Sequence, residues 1–323
     1  MIGDGLRVDT ALFGMVPFFM LDTAAYLRKV VTELAQEIGV RTYLDADRLE
    51  RCGNAIASEF NSFGLKTSRQ PVPISGKTYQ NVIAELVGNT SPEKILVVGA
   101  HYDTVRTTPG ADDNASGVAG LLALSRALAG VRMAKTVRFV AFALEEPPFY
   151  RTRDMGSYHY ARSLKKNREK VEGMICLEMI GFFNDREGSQ QYPFPLFRRK
   201  FPTKGNYIAM VGNMRSKRFT KTIAAIFKEA VDLPVVTLNA PPIVIGIDFS
   251  DHWSFGKFGY TALMVTDTAF YRNPNYHAST DLPETLDYNR MAKVVKGLTA
   301  VVKEWGERSD SDEVDYILSS EQD

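Results

Sequence analysis

Between Lys94 and Gly181 three short apolar runs alternate with two helical ones, and few architectures accept that order. The apolar runs are KILVVGAH, TVRFVAFAL and VEGMICLEMIG, each of strand length; between them lie ASGVAGLLALSRALAG and SYHYARSLKKNREK, with helical periodicity. A βαβαβ chain returns each strand to the same end of the sheet, so the strands lie parallel with helices covering them. His101, Glu145, Glu146 and Glu178 all stand at the carboxyl ends of these runs. Ligands of such open sheets collect outside the carboxyl ends of the strands, so four polar side chains are directed to one edge.

The flanking sequence extends this α/β pattern. Residues 22 to 63 read as two amphipathic helices, the second carrying Leu49, Ala55, Ile56, Phe60 and Phe63 before Gly64. SRQPVPI and TYQNVIAELVG alternate like strands around a turn at Gly76 and Lys77, as in a hairpin. An aromatic, proline-rich segment runs from Phe182 to Phe201, too aromatic for a simple linker. GNYIAMVG, a helix near Lys217 to Ala230, PVVTLN, YTALMVTD and a last helix from Tyr288 to Trp305 resume the pattern. No repeat or composition break marks a second domain. The expected organisation is an N-terminal arm over 1–21, one α/β domain over 22–308, and an acidic, frayed tail over 309–323.

At 323 residues and 45% hydrophobic content the chain can bury one large core. Its net charge of +1 sets up no global field for nucleic acid or anionic lipid, which leaves a peptide or small aminoacyl substrate. Cys52 and Cys176 are too few for a disulfide framework and read as buried free thiols. The apolar stretch Ala11 to Leu21 is too short to span a bilayer and lacks the basic leader of a signal peptide. The cytoplasm is therefore the expected compartment, with export open if a leader has been removed.

His101, Asp113, Glu146, Glu178 and His277 have the residue types and order to hold two metal ions, with Glu145 beside one of them. Two divalent cations roughly 3.5–4 Å apart repel unless a carboxylate bridges them and others neutralise them. Imidazole and carboxylate suit zinc, and also admit cobalt or manganese. Asp103 lies two residues from His101, on the same face of an extended strand end, where it can accept the second ring N–H and fix the tautomer. His159 reads as an ordinary helix residue and His252 as a packed one. Tyr192, Phe194 and Phe197, and the segment Asp251, His252 and Trp253, are candidates for a pocket wall.

Taken together, HYDT, GADDNASG, the EE pair closing a strand, SDHWSFGKFGY and the YH pair before STD resemble the M28 family of zinc aminopeptidases. The resemblance covers roughly residues 80 to 300. It implies a single α/β domain with a mixed, mainly parallel twisted sheet between helices. It also implies that Asp113 bridges two zinc ions, with His101 and Glu178 on one and Glu146 and His277 on the other. Glu145 becomes the general base, Tyr276 a donor to the developing oxyanion, and the peptide after the bridge is often cis. Where many family aminopeptidases have Asp, this chain has Glu178, whose longer arm changes how it meets its ion or the space left for a substrate amine. The implied activity is that of an aminopeptidase; a glutaminyl cyclase or carboxypeptidase relative is the alternative enzyme, and a metal-free scaffold or receptor the alternative of another class.

Overall fold

The computed structural model describes residues 11–307, with side chains from Asp22 onward. The expected tail and the arm's first ten residues lie outside the described residues. The rest of the arm is the backbone start of helix α1 (Ala11–Thr32), so the first helix begins eleven residues earlier than the apolar periodicity suggests. Helix α2 (Ala46–Ser62) starts where the Asp45 side chain accepts from the Arg48 amide at 3.0 Å, and stops before Gly64, whose φ is +76°.

Strands β1 (Lys66–Ile74) and β2 (Lys77–Leu86) form the expected hairpin, paired Ile74 to Lys77. Its two loop residues are Ser75 and Gly76, both at positive φ, which matches the strand twist. The central unit follows as β3 (Ser91–His101), α3 (Gly117–Leu128), β4 (Lys135–Phe142), α4 (Gly156–Lys166) and β5 (Lys170–Glu178). Then come β6 (Ile208–Gly212), α5 (Lys217–Ala230), β7 (Val235–Asn239), α6 (His252–Lys257), β8 (Ala262–Thr266) and α7 (Tyr288–Glu307). They build one eight-stranded sheet of order β1-β2-β4-β3-β5-β8-β6-β7. The centre, β4-β3-β5-β8, is parallel, while β2 joins β4 and β6 joins β8 antiparallel, so the sheet is mixed.

Alternation along the strands divides the core. Leu96, Val98 and Ala100 of β3 face the larger cluster, shared with α1, α2, α3, α5 and α7. Ile95 and Val97 face the other side, where α4 and α6 supply Tyr160, Leu164 and Phe255. Both cysteines are buried and free. The parallel strands end level: His101 pairs with Phe142, and Glu178 with Thr266. Chain leaving those ends carries the polar residues onto a common rim.

Candidate metal centre

His101 closes β3, Glu145 and Glu146 follow β4, and Glu178 closes β5. Asp113 stands in the turn entering α3, and His277 in the loop after β8. The turn before α3 can lie against the end of β5 because residue 117 is glycine; a Cβ there would meet Asn114 Oδ1 at 2.3 Å and the Leu177 carbonyl at 2.6 Å. The Asp113–Asn114 peptide is cis. Asn114 uses the closeness: its Nδ2 donates to the Leu177 carbonyl at 2.9 Å, and its Oδ1 accepts from the Met179 amide at 3.0 Å.

The side chains converge in two groups. In one, His101 Nε2 is 3.4 Å from Asp113 Oδ1 and 3.3 Å from Glu178 Oε2. In the other, His277 Nε2 is 3.1 Å from Asp113 Oδ2 and 3.4 Å from Glu146 Oε1. Asp113 thus gives one oxygen to each group, and each group can hold a metal ion. Glu145 belongs to neither, although its Oε2 is 3.9 Å from His101 Nε2. Glu178 reaches the cluster with its longer arm, its Oε2 taking a 2.6 Å hydrogen bond from Ser250 Oγ.

The donor set fits cations. His101 Nε2, Asp113 Oδ1 and Glu146 Oε1 are buried and have no hydrogen-bond partner; the first two face each other, and Glu146 Oε1 faces His277 Nε2. Burial pushes Glu145 well above the usual carboxylate range, with Glu146 and Glu178 adding to it and His101 opposing. Burial and Asp113 push Glu146 up to about 7. Burial opposes the charging of both histidines, yet Glu178 and Asp103 raise His101, and Asp113 and Glu146 raise His277 to about 10. Carboxylates that keep protons and imidazoles that gain them mark a pocket short of positive charge, which divalent cations supply.

A surrounding layer of contacts sets this geometry. Asp103 Oδ1 and Oδ2 accept from the amides of Glu145 and Glu146 at 3.0 and 3.1 Å, and Oδ1 is 3.4 Å from His101 Nδ1. Asp281 accepts from the amides of Asp112 and Asp113 at 2.9 and 3.1 Å. Asp112, buried, receives Gly181 N and Asn273 Nδ2. Arg41, fully buried, donates to the carbonyls of Leu34, Gly39, Tyr102, Pro109 and Gly110, so one guanidinium ties the turn after His101 to the turn before Asp113. Leu144, Met179 and His277, each in or beside the cluster, hold positive φ values of 60°, 48° and 57°.

Of these supporting residues, Asn114, Ser250 and Asp281 sit inside motifs that the sequence singles out, without a role being readable there. Arg41 has no local signal at all.

A cavity of about 840 Å³, counting its open mouth, adjoins the cluster, with Glu178 and Tyr276 at the boundary. Tyr276 stacks on His277 at 3.8 Å between ring centroids. Tyr192 and Phe197 line the cavity as expected, while Phe194 is exposed outside it. The expectation for Asp251, His252 and Trp253 is overturned: the lining comes from residues 244–247 and Phe249 instead. Asp251 and His252 are buried under the loop, with His252 Nε2 2.7 Å from the Ile247 carbonyl, because α6 packs into the smaller core cluster through Phe255.

A profile of peptidase family M28 matches residues 81–302. The uncharacterized protein YfbL of Escherichia coli strain K12 is 40% identical over 284 residues, which is 85% of this chain and 86% of YfbL. Other relatives are longer, and the chain spans 55% of one and 51% of another. Among solved structures, BSAP, a zinc aminopeptidase from Bacillus subtilis, is similar with a TM-score of 0.70 at 17% identity, over 89% of this chain and 96% of that one. The glutaminyl cyclase of Porphyromonas gingivalis is similar with a TM-score of 0.67 at 20% identity, over 87% and 98%. At these identities the two structures speak for the fold alone, whereas the profile spans most of the chain and all five converging donors. On that ground the chain belongs to peptidase family M28.

Proposed function

We propose that this protein is an aminopeptidase that hydrolyses the N-terminal residue from unblocked peptides, with two divalent cations, zinc by ligand type, in the two donor groups. The observation that carries this reading is the position of Glu145. It stands 3.9 Å from His101 Nε2, outside both groups, in a cluster whose Glu178 borders the cavity. When bound, the cations supply the charge that lowers the pKa of a water and polarises a carbonyl oxygen.

The chain's own residues do the rest. Glu145 Oε2 takes a proton from the attacking water and returns it to the leaving amine; burial, by raising its proton affinity, suits it to that exchange. Asp103 fixes the backbone of the Glu145–Glu146 pair and the ring of His101. The Tyr276 hydroxyl, aligned by stacking on His277, donates to the oxygen on which negative charge develops. The first residue's side chain enters the cavity between Ala209, Val211, Leu238 and Met264, and its free amine lies toward Glu178. No lysine or arginine lines that cavity among the described residues, so a C-terminal carboxylate finds no counter-charge there. An amine beside a carboxylate is the better fit, which favours amino- over carboxypeptidase action.

The test is metal content by elemental analysis, run with hydrolysis of aminoacyl and N-blocked peptides before and after chelation. Two equivalents of metal and chelator-sensitive cleavage of free N-termini alone are expected. One equivalent with pyroglutamyl product would move the assignment to cyclase chemistry, and no metal would move it to a scaffold.

A further inference from the structure

Five of the eight exposed large hydrophobic side chains among the described residues belong to three loops that line the cavity: Ile245 and Phe270 border it themselves, and Phe194, Leu196 and Ile243 adjoin the lining residues Pro193, Phe197 and Val244 in sequence. Ile243 is 84% exposed. Single exposed apolar residues need no explanation, but a set gathered around one opening does.

Charge is also concentrated there. The segment from Tyr192 to Lys204, YPFPLFRRKFPTK, carries Arg198, Arg199, Lys200 and Lys204 and no acid, in a chain whose net charge is only +1. On the tight turn Pro195–Arg199, residues three apart eclipse, so Leu196 and Arg199 share one outward edge. Lys200, Lys217 and Lys221 then line a groove along β7, an edge strand of the sheet. β7 also contributes Val236 and Leu238 to the cavity itself, so the cavity, the apolar collar and the lysine groove form one continuous surface.

Resting on the aminopeptidase reading, we infer that this surface is an extended subsite, which selects peptides whose residues after the first are apolar and then acidic. The cavity is closed on its far side by β6, β7 and β8, so a peptide whose first side chain fills it must leave through the mouth. There its next residues cover the collar, and carboxylates further along meet the lysines of the groove.

Three substrates read this out: a leucyl anilide, which ends before the collar; a peptide with leucine first, then apolar and acidic residues; and a peptide with leucine first, then glycine, serine and lysines. The double variants are Leu196→Ser with Ile243→Ser, and Lys217→Glu with Lys221→Glu. Both should turn over the anilide like the parent. Both should lose roughly ten-fold in kcat/KM on the acidic peptide, mainly through KM, and the charge-reversed variant should gain on the lysine peptide. Unchanged discrimination would overturn the inference.

Peptide binding is also followed without turnover, by anisotropy of the labelled acidic peptide on zinc-loaded Glu145→Gln protein. Collar substitutions added to that background should raise Kd about ten-fold. Equal binding would overturn the subsite even if the parent hydrolyses nothing, while an inactive parent with collar-dependent binding would overturn the aminopeptidase reading alone. Collar-dependent capture by anionic phospholipid vesicles, with peptide binding unaffected, would reassign the face to a lipid surface.

Discussion

Arg41 holds the site's geometry without touching a donor. Its five acceptors are backbone carbonyls, two of them flanking the turn before Asp113 and one following His101. Arg41→Met leaves several buried carbonyls without a donor, each costing about 1–3 kcal/mol, so a loss of at least ~3 kcal/mol is expected in urea unfolding. Arg41→Lys keeps the charge but not the fork, and should fall between the two. Glu145 behaves oppositely, since it lies in neither donor group. Glu145→Gln should keep its metal while kcat falls about 10²–10⁴-fold, checked by elemental analysis and steady-state kinetics on one preparation. Asp113→Ala should lose metal, because Asp113 alone offers an oxygen to both groups. These contrasts explain which residues were legible in the sequence. His101, Glu145, Glu146 and Glu178 could be found because strand ends and side-chain chemistry announce them. Arg41 could not, because its partners are carbonyls up to 69 residues away, and every residue type has a carbonyl.

At the scale of elements, the parallel centre was legible because a buried strand and its crossover helix leave unmistakable apolar patterns. The order of the outer strands was not, since β6 and β7 pattern like the central strands and only pairing shows that β6 runs antiparallel to β8. Helix contacts were equally hidden. α5 and α7 pack closely at Gly297, where a Cβ would meet Phe227 Cε2 at 2.4 Å. Nothing in the sequence distinguishes that glycine from a mere weak point of the last helix. Gly297→Val should overpack this contact and cost about 1–3 kcal/mol, read as a lower urea midpoint. Metal content and kcat per folded molecule should stay at parental levels, because the donors sit at the ends of β3 and β5 and in the loops after β3, β4 and β8 rather than on α5 or α7. A variant with parental stability would mean that the two helices can separate at little cost.

For the whole molecule, the donor cluster ties folding to pH and to metal. In the metal-free protein Glu146 is pushed up to about 7 and His277 to about 10. Their values in an unfolded chain are near 4.3 and 6.5. From about pH 4 to 7 for the first, and about 6.5 to 10 for the second, the folded state therefore holds protons that the unfolded state has lost. Stability gained from those groups is complete at the low end of each window and disappears as pH rises through it. Asp113, held below the usual range by His101 and His277 against the effect of burial, has the opposite slope, but only below about pH 4. Asp251, Asp267 and Asp281, pushed up to about 7, 6 and 7 mainly by burial, share the downward slope but lie outside the two donor groups. Cations should replace only the protons of the donor groups, and they bind better as those protons leave. A melting series from pH 5 to 9 should therefore show Tm falling with pH in chelator and falling less, or rising, in zinc. Saturation at a hundred times Kd adds about 2.7 kcal/mol at any single pH. The slope that persists in zinc belongs to buried acids outside the donor groups, these three aspartates together with Asp112 and Glu145, and the difference between the two slopes belongs to the donors. Parallel slopes would mean that the protons in the cluster are not exchanged for metal, and the two-cation reading would fail with them.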